Sequence, residues 1–284
     1  MKTEQDFSAC LNKKIVGREP LKEKLIEQYR LAQQHQKMRR SGGKTPPLHF
    51  ALTGNPGTGK TMVARLLGDI FKQFGLLATG AVKEFQRGDL VSDDRGRTTH
   101  TIIKDRIAEA EGGICFIDEA ERLVNNPNPS GRDALEEIMA LLGEAKNVMV
   151  IFAGYSEGMR ELYRINEGLE RRIHMEIHLD DYKPEELARI FIDKASSFFI
   201  IPDTAEKDLT DMFNRKFIRH IIRFYNAGLI DHLLNDVASE IERKERADSK
   251  AATKPLETED LEKAFDKLQK RLEERQNWLQ KKFH

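Results

Sequence analysis

Disulfide chemistry is the first thing this sequence does without. Its 284 residues hold two cysteines, Cys10 and Cys115, too few for a cystine framework, and a reducing compartment is the default expectation. Surplus charge is absent too. Lys plus Arg is 47 and Asp plus Glu is 47, which removes the global field that draws a chain to nucleic acid or to anionic membrane. No apolar run approaches the roughly 20 residues that cross a bilayer. The opening MKTEQDFSACLNKK lacks the apolar core of a signal peptide. No internal repeat or low-complexity tract stands out. Together these absences predict a cytoplasmic globular protein with no membrane and no nucleic-acid partner.

What is present is charge of both signs, at 33% of residues. That exceeds the usual quarter and points to a helix-rich protein with solvated faces. The length suits one large domain or a domain with a small lid. Pro20 opens a helical pattern to about Arg40, with Leu21, Leu25, Ile26 and Tyr29 on one face. SGGKTPP interrupts it. LHFALTG then predicts a strand, and TMVARLLGDIFKQF a helix with Val63, Leu66, Leu67, Ile70 and Phe71 inward. AVKEFQ is a weaker strand. A helix from about Thr99 to Ala110 precedes the strand GICFIDE (113–119), and a helix over 132–145 precedes the strand VMVIFAGY. This alternation, with uninterrupted apolar strands, predicts an α/β fold whose parallel sheet is covered by helices on both faces. Beyond about Tyr182 only helical patterns follow. The expected organisation is an N-terminal helical leader (1–45), an α/β domain (46–182) and a small α-helical lid (183–284).

The strongest chemical signal is GNPGTGKT, Gly54, Asn55, Pro56, Gly57, Thr58, Gly59, Lys60 and Thr61, which fits the phosphate-binding pattern G-x-x-x-x-G-K-[ST]. Phosphate binding needs backbone N–H groups turned inward, and the three glycines permit that turn. Lys60 supplies a mobile cation for the β- and γ-phosphates, Thr61 a hydroxyl for Mg2+, and the following helix, through Met62, its positive end. The implied ligands are ATP and Mg2+. The second signal is ICFIDEA. Alone, its two acids are the polar end of a buried strand reaching solvent. Behind a phosphate loop, Asp118 suits the metal's water shell and Glu119 the orientation of an attacking water, which favours hydrolysis over binding alone.

GNPGTGKT, GGICFIDEA and VIFAGYSE together resemble the AAA+ ATPases of the CbbX type, a branch that includes red-type Rubisco activases, stage V sporulation protein K and type VII secretion ATPases. The likeness extends upstream to KIVGREPLKEKL and downstream to INEGLERRIHMEIHLDDYKPEEL. It implies a P-loop NTPase fold, a helical lid and a ring of subunits, usually six and of one kind or two, acting on a protein client. It places Ile15, Val16 and Gly17 against the adenine, a polar or aromatic water-orienting position at Tyr155, and a trans-acting arginine finger at Arg172, with Arg171 beside it. Two stretches depart from the family. Relatives carry Asn-Ala-Arg-x-x-Arg in the lid, where this chain has Asn226, Ala227, Gly228, Leu229, Ile230 and Asp231; Arg223, one turn earlier, is the available substitute. Relatives read Asp-Leu-Val-Gly-x-Tyr-Ile-Gly in the loop facing the central pore, where DLVSDDRG puts Asp94 and Arg95 before Gly96. An aromatic grips any peptide through area and stacking; a charged loop grips only a charged partner. The implied function is an ATP-dependent remodelling or regulatory subunit that does not thread polypeptide generically, or else a nucleotide-gated scaffold or partner subunit of a mixed ring with slow hydrolysis.

Two further patterns remain open. His174 and His178 have metal-like spacing if helical, whereas a strand would turn Ile173, Met175, Ile177 and Leu179 inward and His174, Glu176 and His178 outward. The tail places Leu261, Phe265, Leu268, Leu272, Leu279 and Phe283 on one helical stripe after a start at Thr258. That stripe fits packing on the lid or a short coiled-coil contact with a partner.

Overall fold

The computed structural model describes residues 3–15, 17–41, 49–91, 98–124, 130–142, 148–217, 219–247 and 256–282. They divide into two compact units, one of Met1–Gly54 with Gly59–Asp180 and one of Asn55–Thr58 with Asp181–His284.

The first unit is built on five parallel strands, β1 (His49–Gly54), β2 (Val82–Phe85), β3 (Ile114–Ile117), β4 (Met149–Gly154) and β5 (Ile173–Leu179), in the order β2-β3-β4-β1-β5. Successive side chains of the three central strands feed two separate cores. Phe50, Leu52, Ile114, Phe116, Met149, Ile151 and Ala153 join one. Ala51, Cys115, Ile117, Val150 and Phe152 join the other. Every residue of β1, β3 and β4 is therefore buried, and the uninterrupted apolar runs have their cause in a sheet covered on both sides. Strand β3 is shorter than the sequence suggests: it ends at Ile117, and Asp118 and Glu119 form a turn. The backbone N–H of Asp118 still bonds the Phe85 carbonyl of β2 at 2.8 Å.

One face is covered by α1 (Glu4–Lys14), α2 (Glu19–Arg40) and α3 (Lys60–Gln73). Thr3 caps α1 in a reciprocal pair with Asp6, and the helix buries Phe7 and Leu11 completely. Phe7 stacks on Tyr29 with ring centroids 4.3 Å apart and meets Phe74 edge-on at 5.2 Å. The N-terminal helices thus share the core of the sheet. The opposite face is covered by α4 (Arg87–Leu90), α5 (Thr99–Glu109) and α6 (Ser130–Leu142), with α7 (Ser156–Ile165) and α8 (Glu167–Arg172) contributing Met159, Leu162 and Leu169. Residues 143–147, the end of the expected 132–145 helix, lie outside the described residues. In β5, Ile177 and Leu179 are buried while His178 bonds Thr53 Oγ1 at 3.1 Å and Ser156 Oγ at 3.2 Å. The segment is a strand, so the helical spacing that would pair it with His174 does not arise.

The second unit packs α9 (Pro184–Ala195), α10 (Ala205–Lys216), α11 (Arg219–Tyr225), α12 (Gly228–Ala247) and α13 (Thr258–Lys282) around Phe191, Phe213, Leu233 and Phe265. The tail stripe belongs here: Leu261, Phe265, Leu268 and Leu272 are buried in this core. Arg271 adds a two-point bond to the buried Asp236 of α12, at 2.8 and 3.1 Å. The side chains of Leu279 and Phe283 lie outside the described residues. Among the described residues no helix is long and apolar enough to cross a membrane.

Because Phe7 is fully buried between two rings, Phe7→Ala should cost about 3–5 kcal/mol of first-unit stability. Urea unfolding followed through the tyrosines of that unit measures it. A loss below about 1 kcal/mol would mean that α1 is not part of this core.

Candidate nucleotide site

Parallel register decides which residues can meet. Thr53 is level with Gly154, and Ile117 with Phe152. The segments that follow β1, β3 and β4 therefore leave the sheet from one carboxyl edge, where open α/β sheets hold their ligands.

After β1 the chain makes the glycine turn. Gly54, Gly57 and Gly59 have φ of 150°, 68° and 91°, values that side-chain-bearing residues rarely adopt. Thr58, fully buried, ties the turn by donating its hydroxyl to the Asn55 carbonyl at 2.8 Å. Lys60 opens α3 and folds back, its Nζ donating to the Gly54 carbonyl at 2.9 Å. Burial lowers the affinity of this ammonium for its proton, and the charges of Asp118, Glu121 and Glu119 act against that shift. Thr61 is half-buried in the first turn of α3, and Met62 is exposed.

After β3 come the acids. Asp118 Oδ1 accepts the N–H of Glu119 at 3.0 Å. Glu119 takes the left-handed conformation, φ 50°, which strains a non-glycine residue by about 1–3 kcal/mol. Its carboxylate meets Arg122 at 3.0 Å. After β4, Tyr155 sits at the start of α7 with its ring 5.5 Å from Lys60 Nζ. Burial raises the pKa of its phenol, and Glu119 and Glu121 raise it further. Lys60, Asp118, Glu119 and Tyr155 thus occupy one electrostatic neighbourhood. The donor set, a hydroxyl and carboxylates with a cation beside a glycine turn, suits a phosphate chain with a hard divalent ion.

The sequence matches the model of the ATPase family associated with various cellular activities (AAA) over residues 50–181. The chloroplastic ribulose bisphosphate carboxylase/oxygenase activase of Cyanidioschyzon merolae is 38% identical over 190 residues, 65% of this chain and 62% of that protein. The ESX-1 secretion system protein EccA1 of Mycobacterium tuberculosis is 37% identical over 173 residues, 58% of this chain and 30% of that protein. A protein named CfxQ homolog from Pyropia yezoensis is 33% identical over 215 residues, covering 72% of this chain and 70% of the relative. The chain belongs to the AAA+ ATPases, in their CbbX-type branch. It spans 62% of the red-algal activase and 30% of the mycobacterial protein. Membership of AAA+ implies nucleotide binding, usually with Mg2+, and ATPase activity in general.

The structure brings no further family-expected residue into contact with Lys60 or the acids among the described residues. Arg172 ends α8, exposed, with its Nη1 on the Gly168 carbonyl of the same helix at 3.3 Å; Arg171 beside it is exposed as well. Ile15 is buried in the core with Phe7 and Leu11, and Gly17 turns with φ 68°, while Val16 is outside the described residues. Asp94, Arg95 and Gly96 are outside them too.

The second unit, which takes in Asn55–Thr58, holds a residue that sequence reasoning passed over as a site. Asn226 is fully buried, in the left-handed conformation at φ 46°. Its Oδ1 accepts the Tyr182 N–H at 2.9 Å, and its Nδ2 donates to the Pro56 carbonyl at 3.0 Å, to Asp181 Oδ1 at 2.9 Å and to the Arg223 carbonyl at 3.1 Å. Asn55 donates to the same Asp181 carboxylate at 2.9 Å. A Cβ at Gly57 would come within 2.3 Å of the Tyr225 carbonyl, so this position needs glycine for space as well as for φ. The signal was available: Asn226-Ala227 is the part of the lid motif that this chain retains. Asp231, at the position of the motif's second arginine, pairs with Lys194 at 2.5 Å.

Removing the Asn226 side chain strands the Tyr182 N–H and the Pro56 carbonyl. Asn226→Ala should therefore destabilise the second unit by about 1–3 kcal/mol, read as a lower denaturant midpoint. An unchanged midpoint would contradict this network.

Proposed function

We propose that this chain is an ATP-hydrolysing subunit of an oligomeric AAA+ ring, a remodelling or regulatory ATPase that acts on a protein client in the cytoplasm. The observation that supports it best is the convergence of Lys60, Asp118 and Glu119 at one sheet edge. Residues 46–182 form the nucleotide domain, 183–284 the lid and 1–45 the helical leader. Gly54, Asn55, Pro56, Gly57, Thr58 and Gly59 wrap the phosphates of ATP, with Met62 behind them on α3 and Val16 and Gly17 on the base side. Lys60 leaves the Gly54 carbonyl to meet the β- and γ-phosphates. Thr61, directly, and Asp118, through water, would hold Mg2+, which supplies charge neutralisation on the phosphates when bound. Glu119 orients and polarises the attacking water. Arg172, exposed on its helix, serves the neighbouring subunit's site as a finger, a role that can be worth roughly 10³–10⁵ in rate.

Two observations favour slow or gated hydrolysis, as in a partner subunit of a mixed ring or a nucleotide-gated scaffold. Arg122 holds Glu119 at 3.0 Å, and the lid offers no arginine at Gly228 or Asp231, the latter already neutralised by Lys194.

Calorimetry with ATP and steady-state phosphate release test this reading. Lys60→Ala should lose ATP affinity, Glu119→Gln should bind ATP and not turn over, and Arg172→Ala subunits mixed into wild type should lower activity more than in proportion. Equal ATP affinity of wild type and Lys60→Ala overturns the assignment of the phosphate loop.

The charged loop at Asp94, Arg95 and Gly96 bears on the client. Wedging hydrated charges against an arbitrary apolar segment costs desolvation without a compensating partner, and an exposed ion pair contributes only about 0–1 kcal/mol. The wild-type homo-oligomer should hydrolyse ATP without unfolding a tagged fluorescent reporter, and Asp94→Tyr with Arg95→Ile should gain weak unfolding. Loss of reporter fluorescence with wild type alone refutes this.

A further inference from the structure

Glu121 is an acid in an unexpected place. It follows Glu119 in the short 3-10 turn Ala120–Leu123, where ERL reads as a solvated surface, yet it is 4% exposed. Its carboxylate faces its own backbone N–H and that of Tyr155. Its Oε2 is buried with no hydrogen-bond partner among the described residues. Two distant glycines make the room. A Cβ at Gly154 would lie 2.1 Å from Glu121 Oε2, and one at Gly158 would lie 2.6 Å from both Glu121 Cβ and Cγ. Neither glycine has positive φ, so neither is required by its backbone; each is required by this side chain.

A buried, incompletely bonded carboxylate is a poor way to stabilise a fold, because an apolar side chain of similar size removes the desolvation cost. Its location suggests another use. The turn carrying Glu121 also carries Glu119, in strained left-handed backbone. The N–H it faces belongs to Tyr155, the first residue beyond β4, whose ring faces Lys60. Burial of the Glu121 carboxyl, opposed in part by Lys60, places it in the same electrostatic neighbourhood.

We propose that Glu121 is a positioning residue for hydrolysis: a carboxylate strut between the turn that bears Glu119 and the backbone of Tyr155, seated in the space left by Gly154 and Gly158. The proposal rests on the ATPase reading above and adds a residue to it. The strut crosses from the end of β3 to the end of β4, where the ladder bonds of the two strands have stopped; the last paired residues are Ile117 and Phe152. Without it the Tyr155 N–H loses the carboxylate that faces it, and the turn that bears Glu119 loses its link to the end of β4. Misplacement of a water-orienting carboxylate by about 1 Å can cost up to roughly a hundredfold in rate while leaving ground-state binding intact.

Glu121→Leu fills the volume and removes the acceptor; Glu121→Gln keeps an acceptor of the same shape. In steady-state ATP hydrolysis, Glu121→Leu should lower kcat about tenfold or more, with ATP affinity by calorimetry within about twofold of wild type. Glu121→Gln should recover most of the turnover. Should the leucine variant fold poorly, Glu121→Ala with Gly154→Ala refills the same space and should show the same loss of kcat. Amide exchange at Tyr155, read by mass spectrometry with residue-level fragmentation, should accelerate in Glu121→Leu and not in Glu121→Gln; this readout needs no ATP. Equal losses of affinity and turnover, a glutamine variant as impaired as leucine, or unchanged Tyr155 exchange overturns the strut while wild-type turnover leaves the ATPase reading standing. A wild type that does not hydrolyse ATP overturns that reading, and the role in hydrolysis with it, even if Tyr155 exchange follows the strut.

Discussion

Parallel pairing of β1 with β4 and of β4 with β3 is the constraint on which the site depends. Each of these strands is buried on both faces, so its register is fixed by two cores at once: a slip of one residue would exchange the side chains delivered to the two sides. Phe50 and Leu52 could not trade places with Ala51 without overfilling one core and emptying the other. With register fixed, the position of each strand end follows. Gly54 ends β1 one step beyond the Thr53–Gly154 pair, and Asp118 leaves β3 one step beyond Ile117–Phe152. The chemistry of the edge is thus paid for by the packing of the sheet's interior.

The loop between β1 and α3 meets a different requirement. A turn built on three positive-φ glycines has no ladder to hold it, so its bonds must come from elsewhere. Lys60 and Thr58 supply two from within the loop. Asn226 supplies another in the second unit, which it can do only because four polar groups satisfy its buried amide. A buried asparagine so bonded specifies one arrangement, since each lost partner would leave a polar atom dry.

These two sources of order differ in how far the sequence discloses them. Sheet and phosphate loop were legible because their signals are local: apolar runs, a glycine pattern at fixed spacing, acids directly after a strand. The weak strand at AVKEFQ was legible only in outline, since β2 sits at the sheet's edge and exposes Lys83 and Glu84. The end of β3 was misjudged by two residues because acids at a strand end look alike whether they continue the pleat or leave it. The tail stripe was ambiguous by periodicity and is resolved by its partners, Phe213 and Asp236, which lie far away in sequence. Glu121 was illegible for the same reason. Its burial is decided by two missing side chains, at Gly154 and Gly158, more than thirty residues downstream.

The departures from the family fall where this distinction would put them. Residues whose places are set by strand register or by the glycine turn, Gly54, Lys60, Thr61, Asp118 and Glu119, all keep the pattern. The changes are at Asp94 and Arg95, which lie outside the described residues, and at Gly228 and Asp231 in the second unit. Substitution at a strand end must be accommodated by two packed cores, whereas Asp231 needs only Lys194, an exposed lysine on a neighbouring helix, to offset its charge. A chain under such unequal constraints can change at Gly228 and Asp231 long before it can change the edge at which Lys60 meets the acids. In that light Glu121 is the informative exception. It is a buried polar residue in the constrained region, matched there by two glycines, and a group that demands so much accommodation is more readily explained by the placement of its neighbours than by a gain in fold stability.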